Sequence, residues 1–209
     1  MAKGILIAAM DFTASPEDEF NDWYDTEHVP ERLRVPGFIN AQRWISTENP
    51  KHSLATYDLD SVGVLNSPGY NAIGRENSSP WTKRTQRFRK SLMRYEGEQL
   101  VPGDKVAPES AAAVMVIGMN IAPEHEHEFH EWYNTEHLLG LTAVPGVLCA
   151  RRYQGSGATQ KYVAIYHLNS PDVVRSDAWR KAADTPWTLK LRPHFTDRFR
   201  FDGRPYVRR

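Results

Sequence analysis

Two histidines close two copies of one short motif. His28 ends the run Phe20-Asn-Asp-Trp23-Tyr24-Asp-Thr26-Glu27-His28, and His137 ends Phe129-His-Glu-Trp132-Tyr133-Asn-Thr135-Glu136-His137. An imidazole, with an ordinary pKa of about 6.5, gives or takes a proton near neutral pH. Tyr24 and Tyr133 stand four residues before the histidines, so on a helix each phenol lies one turn away and can address the same ligand. Trp23 and Phe20, with Trp132 and Phe129, would supply an apolar wall that keeps water out. The plainer alternative makes the aromatics core and each His a helix C-terminal cap. Arg43 and Arg152 also match between the copies. On a sheet facing a cleft they would hold a carboxylate or phenolate, and on the solvent side they would do nothing.

Other constellations are weaker. Glu27 and Glu136 precede the histidines directly, about 100° away around a helix, and read as solvated or salt-bridged. His125, His127 and His130 cluster without a His-Glu-x-x-His register, so a surface cluster is expected and no metal site. The sequence has no Gly-rich phosphate or dinucleotide loop, no Gly-x-Ser-x-Gly elbow and no Cys pair for zinc. No cofactor is expected. The single cysteine, Cys149, excludes an internal disulfide framework and reads as a buried thiol.

The elements that must carry these residues follow from pattern. Apolar runs at 5–12 and 113–121 are strands, each leading into a proline-initiated helix; Ser15 is the expected N-cap of the first. Phe20, Trp23, Tyr24, Glu27 and His28 share one face of that helix, which Pro30 is expected to stop or kink. Pro36-Gly37 and Pro145-Gly146 mark turns. Strands are expected at 38–45 and 53–59, and again at 147–153 and 161–168. Ser79-Pro80-Trp81-Thr82 and Thr185-Pro186-Trp187-Thr188 open a second helix in each half, with Ser or Thr as cap. Closing strands are expected at 92–95 and 198–201. The order is β-α-β-β-α-β, twice, a split βαβ or ferredoxin-like arrangement.

From Phe20 to Trp44 the first copy lies at a constant offset of 109 residues from the second, and 11 of the 25 aligned positions are identical. That period is too long for a solenoid repeat. It implies an α+β chain of two tandem ferredoxin-like units, 1–98 and 110–209, joined by a linker over 99–109. The units would pack sheet to sheet as a pseudo-dimeric α+β barrel, a covalent version of a symmetric dimer.

Composition sets the class of partner. Net charge is zero, and Arg204, Arg208 and Arg209 make only a short basic tail, so no nucleic acid is expected. The apolar start is far too short for a bilayer span and lacks a cleavage pattern, so neither membrane nor secretion is expected and the chain reads as cytoplasmic. A small-molecule substrate remains, with room for a homodimer of the two-unit chain.

The run Trp23-Tyr24-Asp-Thr-Glu27-His28-Val-Pro30, continuing to Val35-Pro36-Gly37-Phe38, resembles the first-helix signature of the dimeric α+β barrel superfamily, and within it the EthD-like group. That resemblance implies a pocket between sheet and helices in each unit. It also implies company with cofactor-free monooxygenases, polyketide cyclases, lactone isomerases and haem-binding enzymes. His28 and His137 match the group's helix-end His; Pro30 matches its Pro, which Leu139 replaces in the second half. The expected function is a small-molecule enzyme, of lyase, isomerase or cyclase type. It would use His28 with Tyr24 and His137 with Tyr133 as acid/base on an apolar carbonyl or phenolic substrate. A cofactor-free monooxygenase and a non-catalytic binding or accessory protein are the alternatives. The charged exit after His28, against the apolar Leu138-Leu139 after His137, points to His137 as the less solvated and more base-like site.

Overall fold

The computed structural model describes residues 2–156 and 158–208; Arg209, the last of the tail arginines, lies outside them. Strands β1 (Gly4–Asp11), β2 (Gln42–Ser46), β3 (His52–Leu59) and β4 (Lys90–Val101) come from the first half. Strands β5 (Ala113–Ile121), β6 (Val147–Gly155), β7 (Tyr162–Leu168) and β8 (Phe195–Pro205) come from the second. All eight join in one closed antiparallel barrel, in the order β1-β3-β2-β8-β5-β7-β6-β4. The expected barrel is present, and the edges of the two four-strand sets are hydrogen-bonded to each other, β2 to β8 and β4 to β6. Closure removes the four free edges that two separate sheets would expose.

Both faces of β1 and β5 are buried, which is why they read as nearly unbroken apolar runs. Ile5, Ile7 and Ala9 point into the barrel, where they meet Val114, Val116, Val163, Ile165 and Phe201 of the other half. Leu6, Ala8 and Met10 point outward beneath the helices of the first half. Met115 and Met119 do the same in the second. The molecule therefore has one shared core inside the barrel and two private cores outside it. β4 runs on to Val101, well past the Tyr95 expected from pattern, because its far end pairs with β6.

The long helix expected after β1 is three pieces. Helix α1 (Glu17–Trp23) passes into a π-helical turn, Tyr24–His28, and then into α2 (Val29–Leu33). The amide of Val29 bonds the carbonyl of Tyr24, five residues back. The second half repeats this with α5 (Glu126–Trp132), a π turn over Tyr133–His137, and α6 (Leu138–Thr142). Pro30 does not stop the first helix: it sits in the first turn of α2, directly after the π turn. Nor does it cause the π turn, since the second half has Leu139 there. Ser15 also departs from expectation, giving its hydroxyl to the carbonyl of Phe88 instead of capping α1. Gly37 and Gly146 take φ of 96° and 95° in the Pro-Gly turns, a conformation L side chains rarely adopt. Helices α3 (Pro68–Ile73) and α4 (Pro80–Thr85), and α7 (Asp177–Ala183) and α8 (Pro186–Leu191), complete the two outer layers.

Because the inner faces of the two halves cover each other, residues 1–103 expressed alone should expose an apolar sheet face and associate. Light scattering should find dimers or larger species; a stable monomer would mean that the shared core contributes little.

Candidate functional site

The π turn decides where each histidine goes. In an α-helix, residues five apart point about 140° away from each other; the wider π turn brings them to one side. The His28 ring accordingly stacks on Trp23, centroids 4.3 Å apart, and makes an edge contact with Tyr24 at 5.2 Å. His137 lies 4.2 Å from Trp132 and 5.1 Å from Tyr133. The indoles are themselves fixed. Trp23 Nε1 donates to Thr82 Oγ1 at 2.9 Å, and Trp132 Nε1 donates to Thr188 Oγ1 at 3.1 Å. Thr82 and Thr188 are the last residues of the two echoed Ser/Thr-Pro-Trp-Thr segments, whose caps form as expected: Ser79 Oγ accepts from the Thr82 amide and Thr185 Oγ1 from the Thr188 amide. Glu27 and Glu136, expected to be solvated or salt-bridged, instead accept from the cap hydroxyls of Ser79 and Thr185. They tie the helix that carries each histidine to the helix that holds its tryptophan.

Each histidine reaches a cavity between the sheet and its helices. The first, about 450 Å³, is lined by His28, Arg32, Tyr57, Tyr70, Arg89 and Arg94 among others. The second, about 420 Å³, is lined by His137, Leu141, Tyr166, Trp179, Phe195 and Arg200 in the corresponding places. Strand register fixes the correspondence: Met93 pairs with Ala9 as Phe199 pairs with Gly118, which sets Arg89 opposite Phe195 and Arg94 opposite Arg200. A larger depression, about 660 Å³, lies between α1 and the C-terminal tail, with surface charges such as the Arg208–Asp22 pair and neither histidine.

The other expected site residues divide. Trp132 and Tyr133 line the second cavity together with His137. Trp23, Tyr24 and Phe20 lie behind His28, in the core that backs the first cavity, and Phe129 is likewise core. Arg43 sits apart from both cavities. It is clamped between Tyr24 (4.1 Å) and Tyr206 (3.9 Å), ion-paired with Asp25 and bonded to Asn21 at 2.9 Å. Arg152 is fully buried, 4.5 Å over Tyr133, with hydrogen bonds to Asn134 Oδ1 (2.9 Å) and His130 Nδ1 (3.2 Å). Asn134 stands where the first half has Asp25, so this guanidinium has lost its carboxylate. His130 is thereby tied to Arg152 and to the Tyr162 hydroxyl at 3.0 Å, while His125 packs on His194 at 3.8 Å. Among the described residues, no group of three or more His, Cys, Asp or Glu could hold a metal ion. Cys149 is buried, which pushes its thiol pKa up.

Burial orders the two histidines the other way from the expectation, and both are held below their ordinary pKa. Burial pushes His28 well below its usual 6.5, and the positive charges of Arg32, Arg89, Arg43 and Arg94 push the same way. His137 is lowered to about 4, chiefly by burial and then by Arg192, against which Asp184 acts. His28 is the more enclosed, at 7 % exposure. The reason is tertiary: the charged residues after His28 do not solvate it, because Arg32 turns inward over Tyr70 (5.6 Å) and itself becomes buried. Both rings keep a buried Nδ1 with no hydrogen-bond partner among the described residues. Sequence reasoning missed Arg32, Arg89, Arg94 and the two cavity tyrosines. Position on the strand or helix after the motif was their only signal, and it needs the fold to be read.

Comparison with known proteins bears on the fold. No family model matches the chain, and no curated relative does. Among solved structures it is similar to an anthrone oxidase-like protein (TM-score 0.68, 11 % identity, 98 % of this chain and 92 % of that one). It is also similar to a monooxygenase-like protein from Fusobacterium nucleatum (TM-score 0.67, 12 % identity, 99 % and 94 %). A third is an arginine-to-lysine variant of the chlorite dismutase from Candidatus Nitrospira defluvii (TM-score 0.64, 11 % identity, 99 % and 93 %). This chain shares the fold of these structures over nearly its whole length.

Two outcomes follow. Asn134→Asp should supply the missing carboxylate to Arg152 and raise stability by roughly 0.5–1 kcal/mol, since the guanidinium is already desolvated but position 134 is exposed to solvent; thermal melts at pH 7 measure it. The depressed histidines stay neutral when folded but protonate near pH 6.5 when unfolded, so the unfolded state binds more protons in between. Stability should therefore fall as pH drops from 6.5 towards 4, and His137→Gln should flatten that slope in pH-resolved melts.

Proposed function

We propose that the chain is a small-molecule enzyme in which His28, and with it His137 in the second cavity, removes a proton from an apolar carbonyl or phenolic substrate. The observation that carries this reading is an enclosed, uncharged imidazole on the wall of a cavity of about 450 Å³ that also holds three arginines. A general base must be neutral, and burial keeps His28 so at pH 7. A base held that low is weak, and the substrate must be acidified in turn. The guanidiniums on the same wall do this by stabilising the enolate or phenolate as its charge develops. The indole of Trp23 fixes the ring, and apolar Leu6, Ala8, Met10 and Met93 line the same chamber. Tyr24 orients His28 from behind, while in the second half Tyr133 reaches the ligand itself.

From such an anion, reprotonation elsewhere gives an isomerase, expulsion of a leaving group a lyase, and attack on a second carbonyl a cyclase. The names of two structural neighbours, anthrone oxidase-like and monooxygenase-like, favour a second outcome of the same first step, in which dioxygen adds to the carbanion as a C–O bond. The resulting peroxide takes up the proton, and its O–O bond breaks with loss of water to leave a carbonyl. We read the two halves as diverged copies of one unit, akin to the EthD-like group. The shared Trp-Tyr-x-Thr-Glu-His motif, the matched π turns and the position-for-position cavities support that reading.

A panel of anthrones, naphthols and β-keto compounds, followed by absorbance and oxygen uptake, tests the proposal. His28→Ala should lower kcat/KM by about 10²-fold or more on an active compound. The acid limb of the rate profile should lie below pH 6.5, where an ordinary histidine titrates. If His28→Ala, His137→Ala and the double variant all leave turnover intact, the histidines are structural and the reading fails.

A further inference from the structure

The two cavities are lined from corresponding strands and helices but differ in how their arginines are placed and paired. Arg32 of the first has Leu141 in its place in the second, and Arg89 has Phe195. Arg94 and Arg200 are both kept, each paired with an acid two residues on, Glu96 and Asp202. In the second cavity Arg180 and Arg192 are likewise paired, with Asp177 and Asp184, and Arg198 is exposed. Arg32 pairs with Glu31 at 3.3 Å. Arg89 is different. Its guanidinium lies 4.9 Å over the Trp23 ring, its Nε is buried without a hydrogen-bond partner, and it has no carboxylate partner among the described residues.

Trp23 thus carries both His28 and Arg89 against one indole, as Trp132 carries His137 and Phe195, the latter at 5.8 Å. The reacting atom and the uncompensated cation of the first cavity are held by the same side chain. Among the described residues, Nη1 of Arg89 meets only the thioether of Met10 and no carboxylate balances its charge, so an oxyanion in the cavity is what this guanidinium fits.

We propose that the first-half cavity takes an aromatic ligand bearing a permanent oxyanion, docked on Arg89 beside His28, and that the second-half cavity does not. The proposal rests on the reading of these cavities as substrate sites and names the substrate class for one of them. The apolar floor of Leu6, Ala8, Met10 and Met93 accepts the ring, and Arg89 with Arg32 accepts the charge. The corresponding floor in the second half, with Phe195 and Leu141, offers a ring-sized apolar site with no unpaired inner cation.

Calorimetric titration of the intact chain with 1-naphthoate, and with its neutral isostere 1-naphthamide, tests this. Naphthoate should bind one site per chain at least about tenfold more tightly than naphthamide, the size expected for one charge-assisted contact. Arg89→Gln should erase the preference, Arg89→Lys should keep part of it, and Phe195→Arg should raise the stoichiometry of naphthoate towards two. Equal affinities, a preference that survives Arg89→Gln, or no naphthoate binding at roughly 10 mM would overturn the proposal. If Arg89→Gln does not fold by circular dichroism, the ratio of the two probes on the unaltered chain still decides. The two readings fail separately. Loss of turnover in His28→Ala without any anion preference sinks the ligand assignment alone, and an anion preference with His28→Ala fully active sinks the catalytic role alone.

Discussion

Closure of the barrel is the constraint on which everything else depends. Each half forms four strands, and neither set could leave its outer strands unpaired without exposing a row of backbone donors and acceptors. The β2–β8 and β4–β6 pairings satisfy those groups and wrap the inner faces around a shared core. At one end that core turns polar. Arg151 of β6 and Asp58 of β3 pair at 2.6 Å, both essentially inaccessible to water, and so join the two halves through the interior. Asp58 also accepts from Asn40 at 3.0 Å and from the amide of Ala107, while Arg151 reaches the carbonyl of Lys105 at 3.3 Å. The segment between the halves is therefore bonded into the barrel mouth. A buried pair of this kind adds little net stability, but losing one partner costs about 3–5 kcal/mol. It acts as a registration pin between the halves.

With the barrel closed, its inner face is filled by the shared core, and the cavities that the histidines reach lie on the outer faces beneath the helices. The π turns then matter. They rotate each histidine onto the tryptophan five residues earlier and so into the space above the sheet, leaving Tyr24 behind it in the first half. The turns are held from outside by Glu27 and Glu136, which bond the caps of α4 and α8. A helix with an extra residue per turn is less favourable than an α-helix, and the matching contacts in both halves hold it in place.

The halves differ at many positions, and two of the differences change how a buried or half-buried arginine is compensated. Asp25 against Asn134 leaves one buried arginine paired and the other not. Arg89 against Phe195 leaves a guanidinium without a carboxylate on the first tryptophan and a phenyl ring on the second. The scaffold residues that place them, Trp23 and Trp132 with Thr82 and Thr188, are alike in both halves.

Much was legible in the amino-acid order: eight strands in two matching sets, the helix face with its Trp, Tyr and His, the Ser/Thr-Pro-Trp-Thr caps and the Pro-Gly turns. These depend on local periodicity and on residue types that act within a few positions of themselves. The edge pairings, the π turns and the company each histidine keeps were not legible, because each depends on residues far apart in sequence. His28 was expected to be the better solvated since charged residues follow it. In the folded chain Arg32 points inward, and Arg89 and Arg94, some sixty residues later, come to the same wall. Local order determined which side chains could do chemistry. Tertiary packing decided which of them share a cavity and with what charge, because desolvation and Coulomb interactions act through space and not along the chain.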